Sequence, residues 1–243
     1  MSDIASAVLD DPVGESLRGH HAHLARQVGR AVAYPPEVAT FAAVPGNPTP
    51  GDWADLARLL GPGELADLFS SPAAPPGTWA PVFSMVGVQM TAGPAVTGDV
   101  LPHVGAVVEL GEADVPDMLA LAEVTRPGPF WRRTLQLGSY LGIRDDGVLV
   151  AMAGERLRPP GWTEISAVCT APQARGRGCA SALVQTALRR IVERGEHPFL
   201  HVAADNTSAI DLYERLGFRI RRCVRFHGYR TPAEGLAEGA THL

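Results

Sequence analysis

The chemistry in this chain gathers around one stretch, CTAPQARGRGCASALV, from Cys169 to Val184. Gly176 and Gly178 interrupt a strand-like run just before a helix-like one, with Arg175 and Arg177 beside them. At a glycine-rich junction of this kind backbone N–H groups converge at the positive end of a helix, an arrangement suited to an anion. Three readings are open: a phosphate cradle, a dinucleotide fingerprint, or only a tight turn. The fingerprint asks for a third glycine where Ser181 stands, and for an acid about twenty residues on, whereas the next strand ends later, in HVAADN. A Walker-type loop asks for lysine, and the chain has none, because all 21 basic residues are arginine. The same absence excludes a Schiff-base lysine and a Ser-x-x-Lys nucleophile. Cys169, Cys179 and Cys223 form neither a disulfide framework nor a metal-ligand spacing. His20, His21 and His23 cluster without a nearby carboxylate or cysteine and read as a solvated helix face, so no metal is expected.

These residues need elements to hold them. With 243 residues, 46% hydrophobic and 19% charged, the chain is long enough to bury a full core and too apolar to stay unfolded. Its N-terminus, MSDIASAVLDDPVG, carries aspartates where a secretory signal carries basic residues, and no apolar run reaches membrane-spanning length. The expected address is therefore the cytoplasm, without membrane contact. Residues 1 to 100 hold four arginines against ten acids, and 101 to 243 hold seventeen against sixteen. That balance speaks against a nucleic-acid partner but leaves arginines for a small anionic ligand.

Three segments are expected: a proline-rich α+β region of unknown role over 1–103, an α/β domain over 104–230 and a flexible tail over 231–243. In the first, ESLRGHHAHLARQVGRA and GDWADLARLL have helical spacing, and TWAPVFSMVGVQM reads as strand. From 104 onward VGAVVEL reads as strand, EADVPDMLALAEV as helix, SYLGIRDDGVLVAMAGE as a hairpin turning at Asp145, Asp146 and Gly147, and WTEISAVCT as strand. A helix over about 178–194 should bury Leu183, Val184, Ala187, Leu188 and Ile191. PFLHVAA then reads as strand, SAIDLYERLG as a helix stopped by Gly217, and FRIRRCVRFHGYR as strand.

Arg175, Gly178 and Ala180 fit the pattern Gln/Arg-x-x-Gly-x-Gly/Ala, and Asn206 is followed seven residues later by Tyr213 and then by Leu216, Gly217 and Phe218. In this order the two motifs resemble the signatures of the GNAT acetyltransferase superfamily over about residues 105–230, and EISAVCTAPQARGRG, PFLHVAADN and LYERLGF are similar to its FR47-like branch. The resemblance implies an α/β fold with a mixed, largely antiparallel central sheet flanked by helices. Residues 1–103 fall outside it; a decayed half of a second such domain is one reading of them. The implied activity is N-acetylation, with acetyl-CoA as acyl-donor cosubstrate and an amine of a small molecule or peptide attacking directly in a ternary complex. A homodimer is compatible with it.

The resemblance also implies roles. Val168, Cys169 and Thr170 on the strand, then Arg175, Gly176, Arg177, Gly178, Cys179, Ala180 and Ser181, and finally Asn206, fall where the coenzyme is held. A main-chain N–H near Val168 is placed to polarise the thioester carbonyl. Glu164, eleven residues before Arg175, takes the place of the general base, with partial burial expected to raise its pKa; Glu155 and His201 are substitutes. Tyr213 takes the place of the acid that protonates the departing thiolate, and Asn206 either bonds pantetheine or caps the next helix. Cys169 reads as a small buried hydrophobe rather than a nucleophile. Arg126, Phe130 and Trp131, with Arg132 and Arg133, fall on the segment that shapes the acceptor site. Two other classes stand as rivals: a module that binds acyl-CoA without turnover and, more distantly, a nicotinamide-dependent oxidoreductase.

Overall fold

The computed structural model describes residues 6–93 and 106–233, and the chain forms two compact units. The first takes residues 1–36, 40–86 and 224–243. Its first helix, α1 (Pro12–Arg18), starts on Asp11, whose carboxylate accepts the Gly14 N–H at 3.0 Å, and Pro12 sits where a missing N–H costs nothing. The helix stops at Gly19, so the longer helix expected through residue 31 does not form. Instead β1 (Arg26–Val28) turns through Gly29, φ 56°, into β2 (Ala31–Ala33), and β3 (Ala42–Ala43) completes a three-stranded antiparallel sheet. The apolar spacing suits either structure, and the glycines at 19 and 29 decide for turns.

His21 is likewise not on a solvated face: it is buried, with Nδ1 2.8 Å from the Tyr34 hydroxyl. No cluster of His, Cys, Asp or Glu among the described residues is arranged to hold a metal. The second helix, α2 (Pro50–Leu60), forms as expected. Thr49 and Asp52 make a capping box at its start, and Trp53, Leu56 and Leu59 share a core with Ala31, Leu68 and Trp79. After it comes β4 (Leu65–Phe69).

The second unit comprises residues 37–39 and 87–223. Its elements are β5 (Ala80–Ala92, from Gly87 onward), β6 (Val107–Leu110), α3 (Val115–Thr125), β7 (Tyr140–Asp145), β8 (Val148–Glu155), β9 (Trp162–Thr170), α4 (Cys179–Glu193), β10 (His197–Ala203), α5 (Thr207–Arg215) and the start of β11 (Phe218–Arg230). Neighbouring strands run β5, β10, β9, β8, β7, β6. All these pairs are antiparallel except β9 with β10, which α4 joins as a crossover. The expected fold class therefore holds, a mixed and mostly antiparallel sheet flanked by helices. Asp146 and Gly147, φ 48° and 82°, make the β7–β8 turn with the backbone twist that tight hairpins need. Opposite Tyr140 the hairpin carries Gly154, where a Cβ would land inside the tyrosine ring. On α4, Leu183, Val184, Ala187, Leu188 and Ile191 are all buried, as their spacing implies.

The expected division at 103/104 falls outside the described residues, and the compact units divide at 86/87, because the second half of β5 pairs with β10. Thr231, expected to open the flexible tail, is held in place. β11 continues to Arg230, paired with β4, and Thr231 is buried, its N–H donating to the Glu64 carbonyl at 2.9 Å and its hydroxyl to that of Gly61 at 2.6 Å. Residues 234–243 lie outside the described residues.

Candidate active site

The site begins with a fault in β9. Across from β8, Gly154 pairs with Ser166 and Met152 with Cys169, so Ala167 and Val168 together face the single residue Ala153. Ala167 absorbs this bulge at φ 52°, a conformation costly for alanine and held by the paired strand on either side. Ahead of it, past Glu164, β9 and β10 have already parted. Their parallel pairing covers only Trp162–Glu164 with His197–Phe199, although β9 runs to Thr170 and β10 to Ala203. The edge of β9 that carries Val168, Cys169 and Thr170 is thus unpaired with β10, and the Thr170 hydroxyl is buried without a partner.

The opening leads to the arginine–glycine loop. A single turn, Pro172–Ala174, ends the strand, Gly176 and Gly178 both take positive φ (76° and 83°), and α4 starts at Cys179. The first helical N–H to find an acceptor is that of Ala182, on the Gly178 carbonyl at 3.1 Å. The N–H groups of Cys179, Ala180 and Ser181 therefore have no helical carbonyl to bond, and no side chain caps them. Positive dipole, free donors and no Cβ at Gly176 or Gly178 are the features that suit such a junction to an anion. Arg175 is exposed beside it, its Nε 3.4 Å from the Thr170 carbonyl. Arg177 is engaged elsewhere, 2.6 Å from Asp145 on the β7–β8 turn.

Glu164 differs most from expectation. It is fully buried, and Arg156 grips both its oxygens at 2.9 and 2.6 Å, while His201 Nδ1 lies 2.7 Å from Oε1 and the Leu157 N–H donates to Oε2 at 3.3 Å. Burial pushes its pKa up, but the Arg156 charge and these hydrogen bonds outweigh burial and hold the carboxyl well below its usual range. The expected rise does not occur, and a carboxylate so stabilised is a poor base. The substitutes fare no better. Glu155 is buried and bonded to Arg194 at 2.7 Å, and the His201 side chain, also buried, has its Nδ1 committed to Glu164 and its pKa lowered by burial, which makes it a weaker base.

Tyr213 lies on α5, packed edge-on against Phe218 with ring centroids 5.9 Å apart, and burial pushes its phenol up to about 12. It stays protonated at neutral pH, as an acid must. The Asn206 side chain accepts from the Ala209 N–H at 3.2 Å and so caps α5, the plainer of its two readings. Burial raises the pKa of Cys169, which leaves it an unreactive thiol. The segment 125–134 is anchored from an unexpected direction: the Thr134 hydroxyl donates to the Val38 carbonyl at 2.9 Å, and the Arg133 N–H to that of Glu37 at 3.0 Å. Phe130 packs edge-on against Tyr140 at 5.7 Å, Trp131 is half-buried, and Arg126 caps α3 with its side chain exposed. Sequence reasoning missed Arg156, Gln89 and Arg221 entirely. They are far apart in the chain, and no spacing signals that a fold will join them.

Residues 140–226 match the family model for FR47-like proteins. A solved structure from Novosphingobium aromaticivorans, described as an acetyltransferase from the GNAT family, is 42% identical, with a TM-score of 0.81 over 91% of this chain and 97% of that one. The chain belongs to the GNAT family of acetyltransferases, and its second unit carries the FR47-like pattern. A GCN5-related N-acetyltransferase from Kribbella flavida shares the fold at 19% identity, with a TM-score of 0.64 over 94% of this chain and 97% of that one. A mycothiol acetyltransferase of Corynebacterium aurimucosum is 44% identical over 68 residues, 27% of this chain and 22% of that protein. The matched part thus spans about a quarter of the curated relatives.

Proposed function

We propose that this protein transfers an acetyl group from acetyl-CoA to a primary amine of a small molecule or peptide, in one ternary complex. The observation that carries the reading is the parting of β9 from β10 past Glu164, followed on β9 by the Ala167 bulge and, further along the chain, by the Gly176–Ser181 loop with its free N–H groups. A pyrophosphate fits the cradle's free N–H groups. The amide-bearing pantetheine arm fits the unpaired edge of β9, which offers main-chain groups and the unpartnered Thr170 hydroxyl. In the step itself the amine nitrogen attacks the thioester carbonyl, a β9 main-chain N–H near Val168 supports the developing oxyanion, and the C–S bond breaks. The thiolate takes its proton from Tyr213, and the phenolate left behind regains one from solvent water. The ammonium gives its proton to solvent water, since Glu164, Glu155 and His201 are buried and bonded. Holding two reactants together supplies much of the acceleration.

The test is release of free thiol from acetyl-CoA across amino acids, polyamines, aminoglycosides and peptides with free N-termini. Turnover with at least one amine supports the reading, and failure of acetyl-CoA to bind at all overturns it. A second reading, a module that binds acyl-CoA without turnover, is favoured by the engagement of all three candidate bases. Calorimetric binding of acetyl-CoA with no thiol release across the panel selects it.

A further inference from the structure

One line of side chains crosses the sheet of the second unit, drawn from five neighbouring strands. Arg156 follows β8, Glu164 lies on β9, His201 on β10, Gln89 on β5 and Arg221 on β11. Arg156 donates to Glu164 at 2.9 and 2.6 Å, Glu164 Oε1 lies 2.7 Å from His201 Nδ1, His201 Nε2 lies 3.1 Å from Gln89 Nε2, and Arg221 donates to Gln89 Oε1 at 2.8 Å. A carboxylate only accepts, so Nδ1 carries the imidazole proton and Nε2 accepts from the Gln89 amide. Every donor then points toward Glu164, and the chain is satisfied in this one arrangement. Glu164 and Gln89 are 0% exposed, and the His201 side chain is 1% exposed.

The position of this line along the strands gives it a consequence. The last main-chain pair of β9 and β10 is Glu164 with Phe199, and His201 lies two residues beyond it. The 2.7 Å contact from Glu164 to His201 therefore joins the strands just past their final ladder position, at the apex of the opening. Arg156 holds Glu164 from the β8 side, and Gln89, register partner of His201, holds the imidazole from the β5 side. A buried polar chain resists distortion, because any shift leaves a desolvated donor or acceptor unpaired.

We propose that Glu164 is a positioning residue: with Arg156, His201 and Gln89 it sets how far β9 and β10 part, and hence how tightly the acyl donor is held. This rests on the coenzyme reading above. The experiment compares Glu164→Gln, His201→Asn and Gln89→Met with the unaltered protein, by calorimetry with acetyl-CoA, by kcat and KM, and by the pH profile of kcat with the best amine. Gln89→Met leaves the Arg156–Glu164 pair intact and carries the test if Glu164→Gln does not fold. The expected result is a rise of about ten-fold in Kd and KM for acetyl-CoA in each folded variant, with kcat within about three-fold and the pH profile unmoved. A fall in kcat of about a hundred-fold at unchanged Kd, with loss of the acidic limb, makes Glu164 the base and overturns the proposal. Lower melting temperatures with Kd and KM unchanged reduce the line to a structural role and also overturn it. Absence of acetyl-CoA binding in the unaltered protein is a different failure, that of the coenzyme reading, and the proposal falls with it.

Discussion

Tyr213 and Cys169 divide the residue-scale chemistry between them. Tyr213 packs against Phe218, and burial raises its pKa to about 12, so the phenol keeps its proton at neutral pH, as the acid role proposed for it requires. Tyr213→Phe keeps the ring contact and removes the proton, so kcat should fall about a hundred-fold while acetyl-CoA affinity holds. Steady-state kinetics beside calorimetry check this, and an unchanged kcat removes Tyr213 from the mechanism. Cys169 makes the opposite case. Its thiol is buried and its pKa raised, so Cys169→Ala should retain activity within about two-fold and lower stability by about 1 kcal/mol. Near-total loss of thiol release in a folded Cys169→Ala protein sinks the direct-transfer reading. The spacing from Asn206 singled out Tyr213 as the proposed acid, whereas the engagement of Glu164 had no signal in the sequence, because Arg156 and His201 reach it from a strand end and another strand.

At the scale of elements, local chemistry foretold most of the secondary structure. The Asp146–Gly147 turn, the apolar stripe of α4 and the Gly217 stop after α5 are each decided within a few residues, and each formed. The stretch after α1 shows the limit. Its apolar spacing suits a helix, yet the chain turns at Gly19 and again at Gly29 to make β1 and β2, whose pairing depends on β3 as well. Two predictions belong here. Asn206→Ala removes the α5 cap and should cost about 1 kcal/mol, read by chemical denaturation. Gly178 stands at φ 83°, so Gly178→Ala strains the loop by about 1 kcal/mol and also crowds the cradle. Acetyl-CoA affinity should then fall in the folded variant, whereas a loop that serves only as a turn loses stability alone.

For the whole molecule, pH couples buried groups to stability. Burial lowers the pKa of His201 in the second unit and of His227 in the first, and Glu164 is held low by Arg156 and His201 against its own burial. In all three the unfolded chain binds protons more readily than the folded one, so stability rises with pH. The contribution is present above the ordinary values and lost in two stages on acidification, from about 6.5 for the histidines and from about 4.5 for the carboxylate. Asp11, raised mainly by burial, works in the opposite sense within the carboxylate range. Melting temperatures across pH 8 to 3 should fall below about pH 6.5, with His201→Asn removing part of the first stage; a flat profile refutes the assignment. By itself the sequence determined most elements of the second unit and the order of its motifs, because turns, caps and helical periods are settled between near neighbours. Only the tertiary structure decided that β5 completes the second unit's sheet, that residues 37–38 anchor the 125–134 segment, and that the best-placed carboxylate is bound by Arg156 and His201. Those outcomes depend on groups far apart in the chain meeting in a dry interior, where a partner's charge outweighs the effect of burial.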